Sequence, residues 1–309
     1  MKIGIQTAGI PYDFGRREGY QMIRDAGFET IDWNIDMQLT NADILSHKHA
    51  GNVFEKSLDE ILAFYADDLD GIRAAGLTIT QAHAPFNFYN NDPEGPSLEY
   101  MSKIYQNVIL LCDAVGCKNV VIHGASRGRN DQHTNEEMEE INRTLYTSLI
   151  PTLQKTNVTV CLENLFVSKG GLTAGHCANP YEAAKLIDEL NAAAGKECFG
   201  FCVDTGHLNL LAIDFRSYMP ILGKRIKALH IHDNDGATDL HKAPYTGTID
   251  WKQFYEQLAK IGYEGDLAFE TFRQTEVKVL GDREMAMPWM KLIATIGEFF
   301  RSKIAELKA

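Results

Sequence analysis

His83, His123, Glu163, Asp204, His232 and Glu270 each close a short apolar run. Successive members lie about 40 residues apart, except for a shorter step from Asp204 to His232. Imidazoles and carboxylates bind divalent cations. With no thiolate among the six, the set suits Mn, Zn, Co or Fe(II) better than Ca. Taken singly, a histidine after an apolar run is more often a hydrogen-bonded structural residue, and a lone Asp or Glu is often a helix cap. Six in phase are not explained by capping. His207 lies three residues after Asp204 in DTGH, and Asp239 and His241 end the stretch HIHDNDGATDLH (230–241), so all three can extend the set. His230 and His232 share one strand face. His232 is nearer the strand end and is the expected ligand, with His230 deeper.

Something must bring these residues together. Short runs rich in Val, Ile and Phe recur along the chain: KIGIQT (2–7), FETIDW (28–33), LTITQAH (77–83), NVVIHG (119–124), VTVCLEN (158–164), FGFCVDT (199–205), IKALHIH (226–232) and DLAFET (266–271). They read as strands buried on both faces. Amphipathic segments separate them. Residues 57–76 and 97–116 each begin with a serine cap candidate and end at glycine; 135–154, 179–195, 250–262 and a last helix from about 285 to 307 follow. Eight strand–helix units predict a closed (β/α)8 barrel, with residues 1–309 as one domain. A doubly wound open sheet is disfavoured, because TAGIPYDFG after the first strand lacks the dinucleotide-binding glycine pattern. In a barrel, strand C-termini converge at the mouth, where barrel enzymes place their active sites.

The 309 residues are 45% hydrophobic, enough for a large core. Thirty basic residues against 42 acidic ones, net −12, argue against a general polyanion binder. The six cysteines form no paired CxxC motif. The N-terminal run lacks a signal-peptide core, and no apolar stretch reaches the length of a membrane span, so a cytoplasmic location is expected.

LEN (162–164), VDTGH (203–207), HIHDND (230–235) and FET (269–271) together resemble the xylose isomerase-like TIM-barrel superfamily, over nearly the whole chain. That superfamily includes sugar and sugar-phosphate isomerases and epimerases such as the D-tagatose 3-epimerases, inosose-processing enzymes and the endonuclease IV family. The resemblance to the epimerases implies one divalent ion, usually Mn, on Glu163, Asp204, His232 and Glu270. It also makes the two glutamates the acid–base pair and His207 a partner for a substrate hydroxyl. Removing a proton beside a carbonyl builds an enediolate, whose charge a divalent ion can neutralise. Two carboxylates can then epimerise the carbon or pass the proton to its neighbour. Trp33, Phe86, Phe166 and Phe272 are candidates to line a sugar.

The endonuclease IV resemblance implies instead a zinc phosphodiesterase with three ions. His83, His123, Glu163, Asp204, His207, His232, Asp239, His241 and Glu270 would supply its ligands. Basic residues that usually flank the Asp-x-His pair in the nucleases are missing from GATDLH, and Arg16, Arg17, Arg127 and Arg129 are thin support for a DNA surface. The sugar isomerase or epimerase is therefore the favoured reading, with no nucleic-acid partner. A metal-dependent dehydratase acting on a polyol or inosose is a third expectation, because the same enediolate can expel a β-hydroxyl. A phosphate clamp would need a cation such as Arg273 or Lys242, neither of which sits in a motif. Residues 34–56, of low pattern after the second strand, are of a length that often forms a lid. Many relatives associate, so a homo-oligomer is compatible with the sequence.

Overall fold

A computed structural model of the protein describes residues 1–86, 88–127, 131–168 and 171–308. Arg129 lies outside them. Eight parallel strands form one sheet: β1 (Ile3–Gln6), β2 (Thr30–Asn34), β3 (Thr78–His83), β4 (Asn119–Val121), β5 (Thr159–Glu163), β6 (Phe199–Asp204), β7 (Ile226–His230) and β8 (Leu267–Phe269). Their spatial order follows the chain from β1 to β7, and β8 returns to pair with β1. Between β7 and β8 the ring closes through one bridge, Ile231 to Phe269. The Ile231 amide donates to Ala268 and the Glu270 amide to the Ile231 carbonyl, at 2.9 and 3.0 Å. This is the (β/α)8 barrel expected from the alternation.

Each strand carries side chains buried on both faces, so the strands read as apolar runs. Val121, Cys161, Cys202 and Ala228 make a small cluster of their own, and both cysteines are free thiols acting as small apolar groups. Asp32 and Gln81 are paired across β2 and β3. Gln81 donates to the Asp32 carboxylate at 2.7 Å and to the Leu229 carbonyl at 3.3 Å, which ties three strands together through buried polar groups.

Local signals set most helix ends. Ser57 and Thr134 form capping boxes with Glu60 and Glu137, each worth about 1 kcal/mol. Ser97 and Asp250 cap their helices through Tyr100 and Gln253 amides. The segment 57–76, read as one helix, is two, Leu58–Phe64 and Ala66–Ala74. The break is at Tyr65 (φ −92°, ψ 8°), whose buried ring packs on Trp33 at 4.7 Å and Phe64 at 5.0 Å. The segment 135–154 likewise divides, into Asn135–Thr147 and Ile150–Leu153, with Pro151 opening the second piece. A proline cannot continue the preceding hydrogen-bond ladder. The last helix runs Ala286–Lys308. Residues 34–56 hold short turns of helix, Ile35–Gln38, Asn41–Leu45 and Val53–Glu55. No described helix is long and apolar enough to cross a membrane.

Candidate metal centre

The barrel brings the ligand-type residues of β3 to β8 into one cluster at the strand C-termini. Five groups have donor atoms within 4.8 Å of one another: His83–His123–Glu163; Glu163–Asp204–His207; Asp204–His230–Glu270; Glu163–Cys202–His230; and His207–His232–Asp239–His241. All nine residues singled out from the sequence belong to at least one group. Glu163, Asp204, His230 and His232 are each no more than 2% exposed.

Glu163 is the hub. Its Oε2 lies 3.0 Å from His123 Nε2 and 3.1 Å from His230 Nδ1, and its Oε1 is 3.2 Å from His207 Nδ1. Burial pushes its carboxyl up, but His230 and His123 outweigh that and hold it well below the usual carboxylate range. Glu270 is likewise held low against burial, chiefly by His241 (3.4 Å) and His230 (3.7 Å). Both glutamates are thus ionised bases at neutral pH. Burial opposes charge on His207 and His241, yet neighbouring carboxylates raise both; His241 reaches about 10.

The histidines are oriented as metal ligands require. His207 Nδ1 is 2.8 Å from the Asn164 carbonyl, and His83 Nδ1 is 2.8 Å from that of Ala84. A carbonyl only accepts, so each Nδ1 donates and the Nε2 edge is the one left to turn toward an ion, an orientation common in metal-binding histidines. Asp204 divides its carboxylate. Oδ1 caps the helix Thr205–Leu210 through the His207 amide (2.7 Å), and Oδ2 faces His232 Nε2 at 3.0 Å. The buried Nδ1 of His232 and Oδ1 of Asp239 have no hydrogen-bond partner. Orphaned donors of this kind, in a set of imidazoles and carboxylates, fit one or more divalent cations.

Supporting residues fix this geometry. Asn164 clamps β5 to β6, donating to the Asp204 carbonyl and accepting from its amide, both at 2.9 Å. Gly206 leaves room for His232, since a Cβ there would come within 1.9 Å of the imidazole Cε1. Asp233 is fully buried and is not a ligand. It accepts from the amides of Asn234, Gly247 and Ile249 and from the Trp251 indole, at 2.9–3.2 Å. It therefore folds the 233–251 loop that presents Asp239 and His241. His230 lies below His232, with Nε2 3.1 Å from Asp32.

Three of the aromatic candidates ring the cluster. Phe86 lies 5.6 Å from the His123 ring, Phe166 5.0 Å from His207 and Phe272 4.3 Å from His241. Trp33 does not join them. Asp32 faces the barrel interior, so the next residue of β2 points outward, where Trp33 is buried against Tyr65. Arg273 is exposed on the turn after β8. Of the arginines weighed for a DNA surface, Arg16 is paired with Asp68 at 3.0 Å, and Arg127 donates to the His133 carbonyl and the Asn135 side chain. His47 is exposed, between Asp92 and Glu94. Sequence reasoning gave no role to Asp32, Asp36, Asn164 or Asp233, which read as ordinary polar positions beside strand ends.

The model of the xylose isomerase-like TIM barrel family matches residues 21–301. The chain belongs to that family. Uncharacterized protein y4fM of Sinorhizobium fredii is 27% identical over 268 residues, covering 84% of this chain and 82% of its own. A ketose 3-epimerase of Arthrobacter globiformis is 27% identical over 135 residues, 41% of this chain and 43% of its own. The crystal structure of D-psicose 3-epimerase with D-tagatose, from Clostridium cellulolyticum H10, superposes with a TM-score of 0.68 at 17% identity, over 97% of this chain and 99% of that one.

Proposed function

We propose that this protein is a divalent-metal-dependent isomerase or epimerase of a sugar, with Glu163 and Glu270 as the proton-transfer pair. The observation that carries the reading is that two ionised glutamates, from β5 and from the residue after β8, face one another across His230, within a cluster of metal-type donors. Glu163, Asp204, His232 and Glu270 would hold the ion. When bound, it would neutralise charge developing on the substrate oxygens. One glutamate takes the proton from the carbon beside the carbonyl, and the other returns one from the opposite face. His207 hydrogen-bonds a substrate hydroxyl. Phe86, Phe166 and Phe272 keep water from the reacting carbon, and residues 34–56 cover one side of the mouth. Likeness to ketose 3-epimerases supports a ketose as substrate. A cytoplasmic location is proposed with it.

Glu163→Gln and Glu270→Gln should each abolish turnover while circular dichroism and melting stay near wild type. A wild-type rate in either variant would overturn the two-carboxylate mechanism.

One observation favours a second reading. His207, His232, Asp239 and His241 converge beside His83, His123 and Glu163, which is room for more than one ion and the ligand set of a zinc phosphodiesterase. Elemental analysis of protein purified without chelator separates the two. One equivalent of Mn or Co supports the sugar enzyme; two or three of zinc support phosphodiester cleavage.

A further inference from the structure

Beside the metal centre lies a cavity of about 580 Å³, of a size typical of small-molecule sites, between the loops that follow β4 and β5. Phe166 is the shared wall. Its ring touches His207 of the cluster on one side and lines the cavity on the other. The floor is built and tied to the centre. Asn142 accepts the Ala125 amide at 2.6 Å, and its amide group lies 3.3 Å from buried His176, which pairs with Glu139 at 3.0 Å. At Gly124, next to His123, a Cβ would come 2.7 Å from His176 and 2.8 Å from Asn142, so the floor packs directly against the strand end that carries His123.

The lining selects a ligand class. Asp131, Glu139 and Glu182 bring three carboxylates, of which Asp131 is held by His133 and Glu139 by His176. Of the two basic residues that line it, the Arg127 guanidinium is engaged by the His133 carbonyl and Asn135, and His176 by Glu139. A phosphate would meet net negative charge. Amides and carboxylates do suit hydroxyl groups, and the Tyr89 and Phe166 rings offer flat apolar faces for the C–H side of a sugar ring.

We infer that this cavity binds a second, uncharged sugar ring, so that the substrate is a glycosylated ketose rather than a free ketose or its phosphate. The inference rests on the sugar isomerase reading for the reacting ring alone.

Titration calorimetry on the Mn-loaded protein tests it, with D-fructose, its 4-O- and 6-O-glucosyl derivatives (maltulose and isomaltulose) and fructose 6-phosphate as probes. At least one glucosyl ketose should bind about tenfold tighter than fructose, and the phosphate no tighter. Ala174→Trp, at an exposed position lining the cavity, should remove that gain while leaving fructose affinity and metal content unchanged. Glu182→Trp blocks the cavity from a different element and should do the same, which guards against misfolding of either variant. The inference is overturned if glucosyl ketoses bind no tighter than fructose, if the gain survives both substitutions, or if the phosphate binds tightest. Proton exchange on fructose without any glucosyl gain would refute the cavity and leave the isomerase standing. A gain lost on blocking, with no exchange on any ketose, would do the reverse.

Discussion

The imidazole of His241 lies flat on that of His232, with ring centroids 3.9 Å apart and planes 8° from parallel. The stack aims two donor edges at two carboxylates: His232 Nε2 at Asp204 and His241 Nε2 at Asp239, each at 3.0 Å. Asp239 and His241 thus stand directly beside His232, and whether they hold an ion of their own separates the two readings. The double substitution Asp239→Ala, His241→Ala should leave one equivalent of metal on a mononuclear enzyme. Loss of at least one of several equivalents, read by elemental analysis, would instead identify a multinuclear site.

His232 can occupy its place only because residue 206 has no side chain. Gly206→Ala should weaken metal binding at least tenfold, about 1.4 kcal/mol, by displacing the imidazole. Metal titration checks this, with circular dichroism to show that the barrel persists. Unchanged affinity would mean that His232 is not a ligand.

Asp233 gathers four donors at 2.9–3.2 Å on one buried carboxylate. Asp233→Ala leaves them unpaired and should cost about 3–5 kcal/mol in denaturant melts. Limited proteolysis should then cut within 234–250 in the variant and spare the wild type.

Asp36 sits after β2 near His83, Glu270 and Asp32, and burial raises its carboxyl from 3.8 to about 6. The folded protein therefore binds this proton more tightly than the unfolded chain does. Stability from this group is complete below pH 4, falls as pH rises toward 6 and is gone above it. Asp36→Asn should match wild type at pH 4 and exceed it at pH 8, by up to roughly 3 kcal/mol. Melts of chelator-treated protein at the two pH values test this. A difference that does not depend on pH would refute it.

The barrel was legible because buried parallel strands leave short apolar runs at a regular interval, and the ligands because strand ends share one rim. His83, Glu163 and Asp204 end their strands as the spacing implied, while His123, His232 and Glu270 lie just past the last paired residue. What could not be read depends on contacts between distant strands. Asp32 looks like one polar residue in FETIDW; only Gln81 and His230, brought from β3 and β7, show why a carboxylate is buried there. Trp33 was misplaced by the same ignorance of which face of β2 turns inward. Asp233 had no role in the sequence, but its partners Gly247, Ile249 and Trp251 make it the fastening of the loop. The break at Tyr65 reflects a core position that pulls the ring inward, against a helix-favouring pattern.

The most direct test is deuterium incorporation from D2O into a ketohexose such as D-tagatose or D-fructose, followed by NMR with the metal-loaded protein. Exchange at a carbon beside the carbonyl, lost in both Glu163→Gln and Glu270→Gln, is the result expected of a metal-dependent isomerase or epimerase. No exchange with any ketose or glycosylated ketose, together with cleavage of an abasic-site duplex, would contradict it.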